Sequence, residues 1–373
     1  MEQKNITAAE ESAGLDEWIN NNKINNLFLV CDESLKFLND INAKLKKLSD
    51  KGINITKFNE FCPNPLYQSV VSGVEALRKA QCDGIIAIGG GSAIDVAKCI
   101  KLYSNMSGNG ADGDYLKQTI VPNNIPFLAV PTTAGTGSEA TRYAVIYYDG
   151  KKQSVSDYSC IPDTVLMDSS VLNTLPLYQK KSTMCDALCH AIESFWSVNS
   201  TDESKVLSET AIKLVLENME GYLANTDSGN QGMLLAANTA GKAINITQTT
   251  AGHAMCYKIT SLFNVAHGHA AALCVRSLFP WMLDNLDKCI DKRGSTYLAK
   301  TFDEIAAAMG CENPKEAAGK FNDIFDSLEL DIPIADELQF SELENSVNPD
   351  RLKNNPVELD LTSIRELYHR ILS

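Results

Sequence analysis

The chain reads as an α/β domain over residues 1–175, built on a parallel sheet, followed by an all-α domain over residues 176–373. Three observations predict this. Short apolar runs alternate with amphipathic stretches in the first half, as they do when helices cover both faces of a parallel sheet. Two loops of small residues each follow an apolar run there. After Leu175 the strand signals fade and long stretches with helical periodicity take over.

The elements follow in order. NLFLVCD, ending at Asp32, predicts a strand, and ESLKFLNDINAKLKKL an amphipathic helix. INITKFNEF is a second strand and PLYQSVVSGVEALRKAQC a helix with apolar residues three and four apart. DGIIAIGGGSAIDVAKCIKLY is strand, glycine turn and helix; IPFLAVPTTAGTGSEAT is a strand and a second small-residue loop. The second half supplies KSTMCDALCHAIESFW, SKVLSETAIKLVLENMEGYL, GMLLAANTAGKAINI and STYLAKTFDEIAAAM as helices.

A length of 373 residues allows two cores, and a net charge of −14 argues against nucleic acid or an anionic membrane as partner. No apolar run reaches the roughly 18 residues of a membrane span. The 11 cysteines include no C-x-x-C pair, and the opening MEQKNITAAEESAG lacks a secretory pattern. Reduced thiols and a cytoplasmic location are expected.

IIAIGGGSAIDVAK sets three glycines between strand and helix, where the backbone can approach a phosphate and the helix N-terminus offers free N–H groups. The spacing is not G-x-G-x-x-G, and a tight turn alone explains it equally. PTTAGTGSEAT also follows a strand, so both loops fall on the rim where open α/β sheets bind ligands. Thr132, Thr133, Thr136 and Ser138 offer hydroxyls to phosphate, ribose or amide, and together the loops point to a nucleotide cofactor. Asp32 can accept from ribose hydroxyls and repel a 2′-phosphate, favouring NAD(H) over NADP(H); capping the next helix is an equally good role for it.

Four of the five histidines are His190, His253, His267 and His269. Asp186 and His190 stand four apart on one helix face, able to grip a metal ion or merely to bond each other. His253 and His267 are 14 apart, about 21 Å along a single helix, too far for ligand bonds of about 2 Å. The chain must therefore turn between them, and FNVAHG, with Asn264 and Gly268, supplies a break from which His267 can point back. Asp186, His190, His253 and His267 then form a donor set for Fe(II), Zn(II) or another divalent ion, unless the histidines are unrelated.

These motifs, in this order and spacing, resemble the iron-containing alcohol dehydrogenases over nearly the whole chain. Asn64–Pro65, IPDTVLMD and DALCHAIES belong to the match beside the two loops and the His253–His267 pair. The resemblance implies a Rossmann-like dinucleotide-binding domain and a helical metal-binding and substrate domain, a dehydroquinate synthase-like architecture with the active site in the cleft between. It implies metal-dependent hydride transfer between NAD(P)H and a short aldehyde, in a homodimer. By motif, the metal is Fe2+, with Zn2+ as the alternative, held by Asp186, His190, His253 and His267. The cofactor contacts are Asp32, Gly90, Gly91, Ser92, Thr132, Thr133, Thr136, Tyr143 and Lys152, and Asp95 stands where the family keeps a carboxylate near the nicotinamide.

One departure stands out. Many members read H-A-M-x-H, with a second histidine linked to proton relay; here HAMCY places Tyr257 there, followed by Lys258. Tyr257 could donate the proton as a catalytic residue, but a phenol with an ordinary pKa of about 10 relays more poorly at neutral pH than an imidazole. HAMCYKITSL, HGHAAALC and ESFWSVNSTDES resemble a narrower subgroup, the phosphonoacetaldehyde reductases (2-hydroxyethylphosphonate dehydrogenases). Lys258 and His269 near the metal, with Arg142, suit an anionic head group; equally, Lys258 can point to solvent and His269 pack beneath the metal loop. The rivals are a general short-chain alcohol or diol dehydrogenase of the same family and a non-catalytic metal- or nucleotide-binding protein. Aldehyde-dependent NADH oxidation separates the last from the first two.

Overall fold

The computed structural model describes residues 3–7 and 11–372. Two compact units make up the chain: Met1–Leu175 with Asn225–Leu234, and Pro176–Ala224 with Leu235–Ser373.

In the first unit the order is β1 (Lys4–Thr7), α1 (Glu11–Asn21), β2 (Asn26–Cys31), α2 (Asn39–Asp50), β3 (Asn54–Phe58), α3 (Tyr67–Lys79), β4 (Gly84–Gly89), α4 (Gly91–Tyr103), α5 (Asp114–Lys117), β5 (Phe127–Pro131), β6 (Tyr143–Tyr148), β7 (Lys151–Ser156) and β8 (Thr164–Met167). Six strands form a parallel sheet in the order β1-β8-β5-β4-β2-β3, so the expected parallel α/β fold is observed. Side chains of a strand alternate between the two faces, and the apolar runs fill both. Ile85, Ala87, Phe127 and Ala129 join a core with Val70, Val74 and Leu77 of α3 and Ile94 and Ile100 of α4. Ile86, Ile88, Leu128 and Val130 line the opposite face with Leu15 of α1 and Ile41 and Leu45 of α2.

Two details differ from the sequence expectation. The stretch after Asp32 is not one helix: a 3₁₀ turn over Glu33–Phe37 precedes α2, because Leu38 leaves helical geometry at φ −96° and ψ 77°. An antiparallel hairpin, β6–β7, was not expected; Asp149 and Gly150 both take positive φ, 48° and 70°, which a two-residue turn of this kind requires.

The second unit is helical: α6 (Leu177–Trp196), α7 (Asp202–Leu223), α8 (Asp227–Thr247, whose first turns group with the first unit), α9 (Ala251–Phe263), α10 (His267–Asp284), α11 (Ser295–Ala308), α12 (Pro314–Ser327), α13 (Glu337–Ser346), α14 (Pro349–Leu352) and α15 (Leu361–Leu372). Every residue of α6 from Ser182 to Trp196 is buried, the mark of a central helix surrounded on all sides, and α7, α10 and α11 pack on it. Gly268 permits the close approach of α10. A Cβ there would lie 2.1 Å from the Ser182 carbonyl oxygen and 2.6 Å from the Asp186 Cβ. Among the described residues no helix is long and apolar enough to cross a membrane.

Candidate functional site

In the first unit both small-residue loops leave the carboxyl rim of the sheet, where Gly89 of β4 pairs with Pro131 of β5 and the Thr132 N–H donates to the Gly89 carbonyl at 3.0 Å. The backbone needs the glycines. A Cβ on Gly89 would stand 2.5 Å from the Ala93 Cβ and 2.6 Å from Asp32 Oδ2; one on Gly91 would stand 3.0 Å from Thr136 Oγ1, and one on Gly90 3.4 Å from Thr133. The second loop thus lies over the first. No side chain caps α4, so its first turn, with Ser92, presents backbone N–H groups suited to an anion.

Asp32 sits beside this turn. Its Oδ1 accepts from the Ser34 N–H at 2.9 Å and its Oδ2 from the Gly90 N–H at 3.4 Å. It therefore caps the 3₁₀ turn and braces the glycine loop together. Asp95 accepts from Ser138 Oγ at 2.5 Å and from the Val145 N–H at 2.9 Å, tying α4 to the second loop and to β6. Burial holds its carboxyl above the usual range, partly offset by the Lys98 charge. Lys98, which sequence reasoning passed over, is fully buried and donates to Ser138 Oγ and to the carbonyls of Thr141 and Tyr143. Tyr143 opens β6, and Lys152 faces Tyr147 across the hairpin.

In the second unit α6, α9 and α10 bring the acidic and imidazole side chains together. Asn264, with φ 53°, ends α9 in the left-handed conformation, and Ala266 is extended before α10 begins. The break between His253 and His267 is therefore present, in a corrected form. His267 is the first residue of α10 rather than a loop residue, and Gly268 lies within the helix, where its role is close packing. One ligand atom from each of Asp186, His253 and His267 lies within 4.8 Å of the others. His190 joins them from α6: its Nε2 is 3.8 Å from Asp186 Oδ1, and its ring stacks on His253 with centroids 4.4 Å apart. Asp186, His190 and His253 are buried and His267 half-buried.

Glu193, missed in the sequence, organises this nest. It is fully buried on α6, and it accepts from Thr250 Oγ1 at 2.6 Å, from the Thr250 N–H at 3.1 Å and from the His253 N–H at 3.3 Å. Its other oxygen meets His253 Nδ1, which turns His253 Nε2 toward Asp186 Oδ1 at 3.2 Å. Its signal was its place three residues after His190 and seven after Asp186, on the same helix face. Burial opposes charge on both carboxyls. Even so, the imidazole of His253 holds Glu193 below its ordinary range, and His190 first, then His253 and His267, hold Asp186 well below. Burial also opposes a charged His253, but Glu193 and then Asp186 raise it to about 9.

A cation fits this donor set. Two buried carboxylates face imidazoles, donors of the kind Fe(II) and Zn(II) take, at separations that bonds of about 2 Å reach with small side-chain adjustments. Glu193 supplies the outer carboxylate that fixes a ligating histidine's tautomer.

The residues expected around a substrate are placed differently. Tyr257 stacks on His267 with centroids 5.4 Å apart, and its hydroxyl accepts from Arg351 Nη1 at 3.3 Å. Burial pushes its pKa up, which makes it a weaker acid than an ordinary phenol. The Lys258 ammonium is 2.5 Å from Glu342. His269 packs inside the second unit. It is buried, its Nδ1 lies 3.2 Å from Tyr178 Oη, its ring packs on Phe325, and burial lowers its pKa. Arg142, in the first unit, donates to Tyr158 Oη at 2.8 Å and lies over the rings of Tyr143 and Tyr158.

Comparison with known proteins follows these features. Residues 3–169 match the family model for iron-containing alcohol dehydrogenase, and residues 180–372 that for the C-terminal region of the Fe-containing alcohol dehydrogenase family. The chain is 33% identical over 257 residues to the probable alcohol dehydrogenase EutG of Salmonella typhimurium, a match spanning 67% of this chain and 64% of that protein, just under two-thirds of its length. It is 29% identical over 313 residues to the phosphonoacetaldehyde reductase of Streptomyces viridochromogenes, covering 80% of this chain and 78% of that one. In fold it is similar to the sulfoacetaldehyde reductase from Bifidobacterium kashiwanohense, solved with NAD+, with a TM-score of 0.87 and 24% identity over 100% of this chain and 97% of that one.

Proposed function

We propose that this chain, which belongs to the iron-containing alcohol dehydrogenase family, is a metal-dependent oxidoreductase that interconverts a short aldehyde and its primary alcohol with NAD(H). Residues 1–175 take the dinucleotide and residues 176–373 the metal and the substrate. The observation that carries the reading is the convergence of Asp186, His253 and His267 donor atoms within 4.8 Å, with His190 beside them.

Asp186, His190, His253 and His267 would hold the divalent cation, Fe2+ ahead of Zn2+. Bound there, it supplies Lewis-acid polarisation of a carbonyl and offsets the negative charge that develops on oxygen. Glu193 on His253 Nδ1 would keep His253 in the tautomer whose Nε2 is free to hold the cation, and the buried Glu193 and Asp186 keep bulk water from the inner side of the nest. Gly90, Gly91 and Ser92 at the start of α4 hold the pyrophosphate. Thr132, Thr133 and Thr136 give hydroxyls to the cofactor, with Tyr143 and Lys152 nearby. Asp32 receives the adenosine ribose hydroxyls and disfavours a 2′-phosphate, so NADH outruns NADPH. Asp95 holds the cofactor loop in shape through Ser138 and Val145.

The relative that reduces phosphonoacetaldehyde supports a phosphonate-bearing substrate, with 2-hydroxyethylphosphonate as the alcohol. The EutG relatives favour the broader alternative, a general short-chain alcohol dehydrogenase. All 11 cysteines are free thiols, which supports the cytoplasm as the site of action, and the family resemblance favours a homodimer. The test is NADH and NADPH oxidation by protein loaded with Fe2+ or Zn2+, offered phosphonoacetaldehyde and neutral aldehydes of equal length. Metal-dependent turnover, faster with NADH and with the phosphonate, is expected. A metal-loaded protein inert with every aldehyde overturns the enzymatic reading.

A further inference from the structure

We propose that Arg351 anchors a tetrahedral oxyanion, a phosphonate or sulfonate, at the far end of the aldehyde. This rests on the reductase reading above and names the group that selects its substrate. The other four arginines of the second unit each have a carboxylate: Arg276 with Asp326 at 3.1 Å, Arg293 with Asp291 at 2.6 Å, Arg365 with Glu344 at 3.3 Å and Arg370 with Glu366 at 2.5 Å. Arg351 is half-buried, yet among the described residues it makes no ion pair, in a chain with 47 acidic residues. A guanidinium so placed can take a bound oxyanion as its counterion.

Its position gives that ligand an address. His267, Tyr257 and Arg351 touch in succession beside the donor nest. Tyr257 stacks on His267 with 21° between the planes, and the Arg351 guanidinium lies 5.4 Å from the Tyr257 ring centre. Nη1 gives one N–H to the Tyr257 hydroxyl, which orients the planar fork while its other donors keep the geometry that matches two oxygens of an oxyanion. The segment that carries Arg351 is pinned. The Asn354 side chain donates to Gln248 Oε1 at 3.0 Å and to the Thr249 carbonyl at 3.2 Å, and accepts from Asn199 Nδ2 at 2.9 Å, while its carbonyl takes the Val198 N–H at 3.1 Å. The anchor requires that a two-carbon aldehyde with its carbonyl toward the donor nest turn its head group toward Arg351. Tyr257 thus seats a guanidinium beside His267. The cations expected from the sequence are committed elsewhere, Lys258 to Glu342 and His269 to Tyr178 and Phe325.

The experiment compares wild type with Arg351→Met and Arg351→Lys. It measures kcat and KM for phosphonoacetaldehyde, sulfoacetaldehyde and butanal, and by calorimetry the affinity for 2-hydroxyethylphosphonate and 2-hydroxyethylsulfonate. Expected for Arg351→Met is a fall of about 100-fold in the charged-to-neutral ratio of kcat/KM, mainly through KM, with a matching loss of affinity for the charged alcohols. Arg351→Lys, which keeps the charge but not the fork, should recover part of both. The head group that loses more identifies whether phosphonate or sulfonate is the natural one. If the ratio survives in Arg351→Met, or charged and neutral rates fall in parallel, Arg351 merely braces Tyr257 and the proposal is overturned while the reductase reading stands. A wild type without preference for charged aldehydes overturns the substrate class itself, and the anchor with it.

Discussion

At the second small-residue loop of the first unit, buried Asp95 hydrogen-bonds a serine hydroxyl and a backbone N–H, and buried Lys98 hydroxyls and carbonyls. In the second unit, Asp186 and Glu193 are as deeply buried, but their partners are imidazoles that can lose a proton. The first arrangement ties a loop to α4 and β6 through neutral hydrogen-bond partners. The second changes its proton content when a cation arrives, because carboxylates already held ionised need only exchange an imidazole proton for a metal.

The largest expected effect breaks this contrast at its centre. Asp186→Asn leaves imidazoles without their anionic donor, so bound metal measured by mass spectrometry should fall below about a tenth of wild type and aldehyde reduction by at least about 10³-fold. Asp95→Asn should leave metal content at the wild-type level; an equal loss there would erase the distinction. Next comes Glu193→Gln, which frees His253 Nδ1 from its carboxylate. Chelator competition should give a metal affinity about 10- to 100-fold weaker.

The pH dependence sharpens the comparison further. His253 is raised from 6.5 to about 9, so the metal-free site keeps its proton through the neutral range. Apparent metal affinity should climb about tenfold per pH unit there and level off above about pH 9, since one proton is displaced. Metal-free stability runs the other way. The contribution of His253 is complete below the unfolded value near 6.5 and is lost as pH rises through about 9, measurable by urea unfolding at several pH values. The smallest effect belongs to the first unit. Asp32→Ala removes a cap worth about 1 kcal/mol and the charge that repels a 2′-phosphate, so stability should drop slightly while kcat/KM with NADPH rises about tenfold relative to NADH.

The parts visible in the sequence were those with local signatures. Apolar runs followed by small-residue loops mark β4 and β5 because a buried parallel strand must be continuously apolar. Asp186 and His190 were visible because helical spacing alone puts them on one face. Glu193 carries the same spacing, but burial of a carboxylate is unexpected until its donors Thr250 and His253 are known, about 60 residues away. The β6–β7 hairpin hid behind a polar second strand, KKQSVS, although Asp149–Gly150 marked the turn. Lys258 and His269 adjoin candidate ligands in sequence, but their partners Glu342 and Phe325, 84 and 56 residues downstream, could not be read from spacing. Arg351 reaches Tyr257 from 94 residues downstream, and no periodicity announces that contact.

Asp186, His190, His253 and His267 are proposed to share one cation. Anomalous diffraction at the iron edge, on crystals of Fe2+-loaded protein, tests it directly. The account predicts a single strong peak in the second unit, with an Asp186 oxygen and one nitrogen from each of the three histidines at about 2.0–2.3 Å. No peak among these side chains, or a peak from which His190 or His267 has turned away, would contradict it.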